Sequence, residues 1–126
     1  MPKSRPTVIL GIDPGLADTG FGLIKKNGNQ IKIIDYGSIK TKPKTKMEDR
    51  LKEIHSAVSD LIKIYKPEII GIEQLFFFKN ITTAIAVGQA RGVVMLAASQ
   101  NKIPIQEFTP LQVKMSITSY GKASKM

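Results

Sequence analysis

The spacing of apolar residues changes several times along this chain, and each spacing predicts a different element. Thr7 to Asp13 is a near-continuous apolar run that ends in a carboxylate and meets the turn pair Pro14-Gly15. A short run bounded in this way predicts a buried strand with Asp13 at its C-terminal end. Gly20 to Lys26 and Gln30 to Thr41 predict two more strands joined at Asn27-Gly28, a strong hairpin signal because the favoured tight turns need positive φ. Three consecutive strands make an antiparallel meander.

From Thr45 to Lys66 the apolar residues Met47, Leu51, Ile54, Val58, Leu61, Ile62 and Tyr65 recur at three- and four-residue steps. This spacing predicts an amphipathic helix, closed by Pro67. Glu68 to Glu73 is a second apolar run ending in a carboxylate, a strand after a helix as in a parallel crossover. Ile81 to Gln100 predicts a long apolar helix with Gly88 and Gly92 four apart on one face. Each glycine costs about 1 kcal/mol relative to Ala in a helix, which close approach of a neighbouring helix would offset. Ile103 to Phe108 predicts a last strand, and Thr109-Pro110 opens a short helix ending near Gly121. The order predicts one α/β domain over residues 1–126: a mixed five-stranded sheet, three strands in a meander and two parallel, with helices on both faces. The lysine-rich stretch Lys40 to Lys46 reads as a solvated connection.

Composition narrows the class. With 42% hydrophobic residues, 10 Gly and 7 Pro in 126 residues, the chain is a folded domain and not a disordered one. The absence of cysteine removes disulfides, thiolate metal sites and cysteine nucleophiles. The apolar run after the basic start is too short for a signal core or a membrane span, so a soluble cytoplasmic protein with no membrane partner is expected. A formal charge of +9 attracts polyanions and puts nucleic acid first among partners, beside the plainer reading that the lysines serve solubility.

Asp13 and Glu73 are the candidate chemistry. If their strands are parallel and adjacent, their C-terminal ends share the crevice where open α/β sheets bind ligands. Two anions at close range repel unless a cation lies between them, and the natural cation for carboxylate oxygens is hard, with Mg²⁺ the default. Ion pairs about 3.5–4 Å apart in nucleases activate a water and stabilise the departing oxygen. Taken singly, an Asp-Pro-Gly is a turn and an acid at a strand end is solvated.

The segment Ile9-Leu10-Gly11-Ile12-Asp13-Pro14-Gly15 with Thr19-Gly20-Phe21-Gly22, then Ile72-Glu73-Gln74-Leu75-Phe76 with Lys79-Asn80, Gly88-Gln89-Ala90-Arg91-Gly92, Gln112-Val113-Lys114 and Gly121-Lys122-Ala123-Ser124-Lys125 resemble the motifs of the RuvC family of Holliday junction resolvases, in the family's order and spacing. The resemblance implies a ribonuclease-H-like fold, a homodimer, two magnesium ions in the complete site, and paired symmetric nicks across a four-way DNA junction in recombination and repair. It also implies a branch-migration helicase complex as partner. Asp13 and Glu73 match the family's first two catalytic, metal-binding acids. Phe76 matches an aromatic that contacts the junction, with core packing as the alternative. Lys114 and Lys125 match basic positions that contact phosphate in the family, Lys122 lies on the same turn and Lys79 belongs to the second motif. All four are expected to bind DNA, with a merely solvent-facing lysine as the alternative for each. Gly88, Arg91 and Gly92 lie on the helix that helps form the family's dimer, with close packing inside one subunit as the alternative.

The family completes its site with further acids, or a histidine and an acid, on a helix beginning shortly after the position of Lys125. The expectation is therefore a domain lacking that final helix, with weak metal binding and little cutting, or a catalytically silent junction-binding module. His55 reads as a helix-surface residue, and Asp18 and Glu107 as solvated acids, with Asp18 in the turn beside Asp13 as an alternative neighbour of the metal site. The actin-like ATPase group opens with a similar strand, turn and hairpin, but its chains carry two such domains and are far longer.

Overall fold

A computed structural model describes residues 6–73 and 81–108. The elements follow in the order β1 (Thr7–Asp13), β2 (Asp18–Asn27), β3 (Gln30–Lys40), α1 (Met47–Tyr65), β4 (Ile69–Glu73), α2 (Ile81–Gln100) and β5 (Ile105–Phe108). The five strands form one sheet in the order β3-β2-β1-β4-β5. β1, β2 and β3 pair antiparallel, whereas β1 with β4 and β4 with β5 pair parallel. The predicted mixed sheet is therefore present, and the predicted short helix after Thr109 lies outside the described residues.

The core follows from strand alternation. Leu10 and Ile12 of β1, Leu23 of β2 and Ile70 and Ile72 of β4 are buried with Ile54, Val58 and Ile62 of α1 and Ala90, Val94, Ala97 and Ala98 of α2. Both described helices thus cover one face of the sheet, so among the described residues the expected helices on both faces are seen on one. Small side chains on α2 bring it close to α1, and His55 and Gln100 share a 2.7 Å hydrogen bond across the pair. By length and composition α2 is apolar enough to cross a membrane, but four of its residues fill this core.

Local rules set the boundaries. The first turn of α1 carries Glu48 and Asp49, which favour the positive end of the helix dipole. Lys66 turns left-handed at the C-cap (φ 49°), its N–H bonded to the Ile62 carbonyl, and Pro67 follows. In the hairpin, the two turn residues are Gly28 and Asn29, with Asn27 paired to Gln30. Only Gly28 has positive φ, 63°. The turn therefore lies one residue later than the Asn27-Gly28 reading, as in turns that place Gly first.

Candidate active site

Parallel pairing of Ile12 with Ile72 makes Asp13 and Glu73 the next residues on neighbouring strands. Because side chains alternate faces, both carboxylates point to the face opposite the core residues Ile12 and Ile72. They line one groove of about 510 Å³ together with Ile9, Ile24, Gly71 and Phe108. Asp13 is exposed and Glu73 half-buried. The groove is open because Gly11 pairs with both Gly22 and Gly71, so one row across β2, β1 and β4 carries no side chains. The next row holds Gly20, Asp13 and Glu73. Sequence reasoning missed the glycine row, yet its signal is present: Gly11-Ile12-Asp13 and Gly71-Ile72-Glu73 repeat one Gly-Ile-acid pattern.

The turn after Asp13 is held from two sides. The buried Thr19 hydroxyl donates to the Gly15 carbonyl at 2.5 Å. A Cβ on Gly15 would lie 2.4 Å from the Asp18 carbonyl oxygen, so this close approach requires glycine. From the other side, Thr41 donates its backbone N–H to the Ala17 carbonyl (3.1 Å) and its hydroxyl to the Leu16 carbonyl (2.6 Å). The buried Arg50 donates from Nε to the Thr41 hydroxyl oxygen at 2.8 Å. Thr41 and Arg50 were not among the expected site residues, because nothing local ties positions 41 and 50 to a turn at 14–18.

Asp18 is ion-paired with Lys40 at 3.0 Å. The Lys40 ammonium hydrogen bond holds the Asp18 carboxyl below its ordinary range. Glu107 pairs with Arg91, which also donates to Met95 Sδ at 3.3 Å. Both acids are solvent-exposed, as expected, and each also lies across from a cation on a neighbouring element. Arg91, with 14% of its side chain exposed, ties α2 to β5 within one subunit. Among the described residues nothing lies within 4 Å of where a Cβ on Gly92 would be. Gly88 is half-buried. Phe76, Lys79, Lys114, Lys122 and Lys125 lie outside the described residues.

A family model described as crossover junction endodeoxyribonuclease RuvC matches residues 9–126. The crossover junction endodeoxyribonuclease RuvC of Halothermothrix orenii is 54% identical over 118 residues, covering 94% of this chain and 72% of that protein. The chain belongs to the RuvC family. Its relative of the same name from Caldicellulosiruptor saccharolyticus is 51% identical over 118 residues, covering 93% of this chain and 71% of that one. The solved structure of T. thermophilus RuvC in complex with Holliday junction substrate matches with a TM-score of 0.80 at 29% identity, over 86% of this chain and 68% of that one. The mixed sheet is thus the ribonuclease-H-like architecture of RuvC, and the actin-like alternative gives way to a family match running from β1 to the last residue. The RuvC family implies a divalent metal. Two carboxylates on adjacent strand ends, facing one open groove, suit a hard, oxygen-preferring ion. Among the described residues no group of three or more acids or histidines forms.

Proposed function

We propose that this protein is a structure-selective endonuclease that resolves four-way DNA junctions by Mg²⁺-dependent phosphodiester hydrolysis in recombination and repair. The observation that carries the reading is the shared row of Asp13 and Glu73 at the parallel strand ends, in a RuvC-family chain of charge +9. The ion, when bound, supplies water activation and stabilises charge on the departing oxygen. Asp13 and Glu73 hold it through carboxylate oxygens. The Gly22–Gly11–Gly71 row keeps the space behind them free of side chains, and the braced turn after Asp13 fixes where that carboxylate points. In the family's pattern, further acids on a helix after the position of Lys125 complete a two-ion site.

Paired nicks need two such sites related by a two-fold axis, which a homodimer supplies. α2 is apolar on more than its core side: Ile81, Ile85 and Leu96 are 76%, 57% and 51% exposed, and Gly92 lies on the same open stripe. A helix apolar all round has a second surface to cover, and a second copy of α2 is the proposed cover. Phe76 and Lys79, just beyond Glu73, and Lys114, Lys122 and Lys125 are proposed junction contacts. The protein works in the cytoplasm beside a branch-migration helicase complex.

The test is cleavage of a synthetic four-way junction with and without Mg²⁺, for a parent that includes the acids of the family's final helix and for its Asp13→Asn variant. Mg²⁺-dependent cutting lost in the variant, with binding kept, is the expected result. Binding without cutting by the parent would identify a silent junction-binding module, and no preference for junctions over linear duplex would remove the reading altogether.

A further inference from the structure

The segment between β3 and α1 carries Lys40, Lys42, Lys44 and Lys46 at alternate positions, and the proposed chemistry leaves it without a role. Its place in the fold changes its meaning. Asp13 pairs with Gly20, and Asp18 pairs with Lys40, so β3 ends at the same edge of the sheet where Asp13 and Glu73 emerge. Neighbouring strands are about 4.8 Å apart, which puts the start of this segment on the order of 10 Å from Asp13. That is well inside one helical turn of duplex, about 34 Å.

The backbone here is structured. Thr41 is bonded to the carbonyls of Leu16 and Ala17, and the Thr45 N–H closes a turn on the Lys42 carbonyl at 3.0 Å. The Lys46 carbonyl accepts from Asp49 and Arg50 at the start of α1. Lys40 is occupied by Asp18. Lys42, Lys44 and Lys46 are exposed, and among the described residues none of them is bonded to a carboxylate. Nearby Glu48 and Asp49 lie in the first turn of α1, where the helix dipole favours them.

We infer that Lys42, Lys44 and Lys46 form a phosphate-binding track, which seats the backbone of a DNA arm beside the cut and is held in register with Asp13 by the Thr41–Arg50 brace. The inference rests on the proposed junction function and extends it to a surface outside the metal site. Cations held on a fixed backbone contact phosphate without reading sequence, so the track contributes affinity and orientation.

The test exploits a second basic cluster. Lys25, Lys26 and Lys32 lie near the hairpin, with Lys25 paired to Lys32. At about 3.4 Å per residue along β2 they are roughly 24 Å from the Asp18 end. Two triple alanine variants, one for each cluster, lose the same charge at opposite ends of the sheet. Junction affinity is measured against salt concentration for the parent and both variants, with thermal melts confirming that each is folded. Each phosphate contact contributes about 0.9 to the slope of log affinity against log salt, so loss of three makes it shallower by about 2–3. That change is expected for Lys42, Lys44 and Lys46→Ala, with less than about one contact's worth for the hairpin variant, and full recovery when the three are Arg. Equal slope changes in both alanine variants would reduce the effect to net charge and overturn the track. An unchanged slope on loss of Lys42, Lys44 and Lys46 would overturn it as well, leaving the junction function intact. A parent that fails to bind junctions would instead overturn the function on which the track rests.

Discussion

The ring of Phe108 lies over Gly71 so closely that a Cβ added there would come within 2.8 Å of the ring. Phe108 pairs with Glu73 across β4 and β5, and both line the groove. Gly71→Ala is expected to push the ring outward and to cost about 1–3 kcal/mol, as overpacking does. Adding Phe108→Ala should recover part of that loss, and a double-mutant cycle by denaturant unfolding measures the coupling. Strict additivity would show that the two do not meet.

Asp13→Asn and Glu73→Gln keep shape and remove charge. Loss of even an outer partner of a metal ligand costs roughly 10–100-fold, so in a form that includes the acids of the family's final helix each substitution is expected to lower Mg²⁺-dependent junction cleavage by more than about 100-fold. Junction affinity in chelator should be unchanged or slightly higher, because a negative charge near phosphate has gone. Gel-shift and cleavage assays on the same preparations separate the two effects.

Thr41→Val removes the hydroxyl that links Arg50 to the turn after Asp13. It leaves Arg50 Nε and the Leu16 carbonyl short of a partner, at a cost of about 1–3 kcal/mol each where such groups are buried. Arg50→Met leaves the Thr41–Leu16 bond in place and should cost less. Denaturation midpoints that ranked the two the other way would contradict this account of the brace.

Tyr65 donates to an Asp35 oxygen at 2.7 Å and so ties the end of α1 to β3. That hydrogen bond to the carboxylate raises the phenol above its ordinary pKa. The stabilisation is therefore fully present below the unfolded value near 10.0 and is lost as pH rises through the folded one. Tyr65→Phe should lower the melting temperature near neutrality and flatten its fall at alkaline pH. Asp18 has the opposite sign: with its pKa lowered by Lys40, its small contribution is present above the ordinary carboxylate value and fades as pH falls through the folded one. Melting curves of Asp18→Asn at acid pH check this limb.

Leu96→Glu puts a charge on the exposed stripe of α2. A dimer built on that stripe should dissociate, while the melting temperature of the subunit changes little, because Leu96 is half exposed. Sedimentation at several concentrations gives the answer, and an unaltered dimer would move the interface elsewhere.

Among the described elements, strand and helix identities, the meander and the ends of α2 were legible in the sequence, because apolar spacing reports which side of each element faces a core. Asp13 and Glu73 were legible as candidates for the same reason, each closing an apolar run. Their meeting was legible only on the condition that the two strands lie parallel and adjacent, because it depends on pairing between Ile12 and Ile72, a contact across 60 positions that no local pattern encodes. The glycine row, the Thr41–Arg50 brace and the Arg91–Glu107 pair likewise join segments that only the sheet order brings together. Local periodicity determined the parts and their faces. Strand register, a property of the whole sheet, decided which side chains became neighbours.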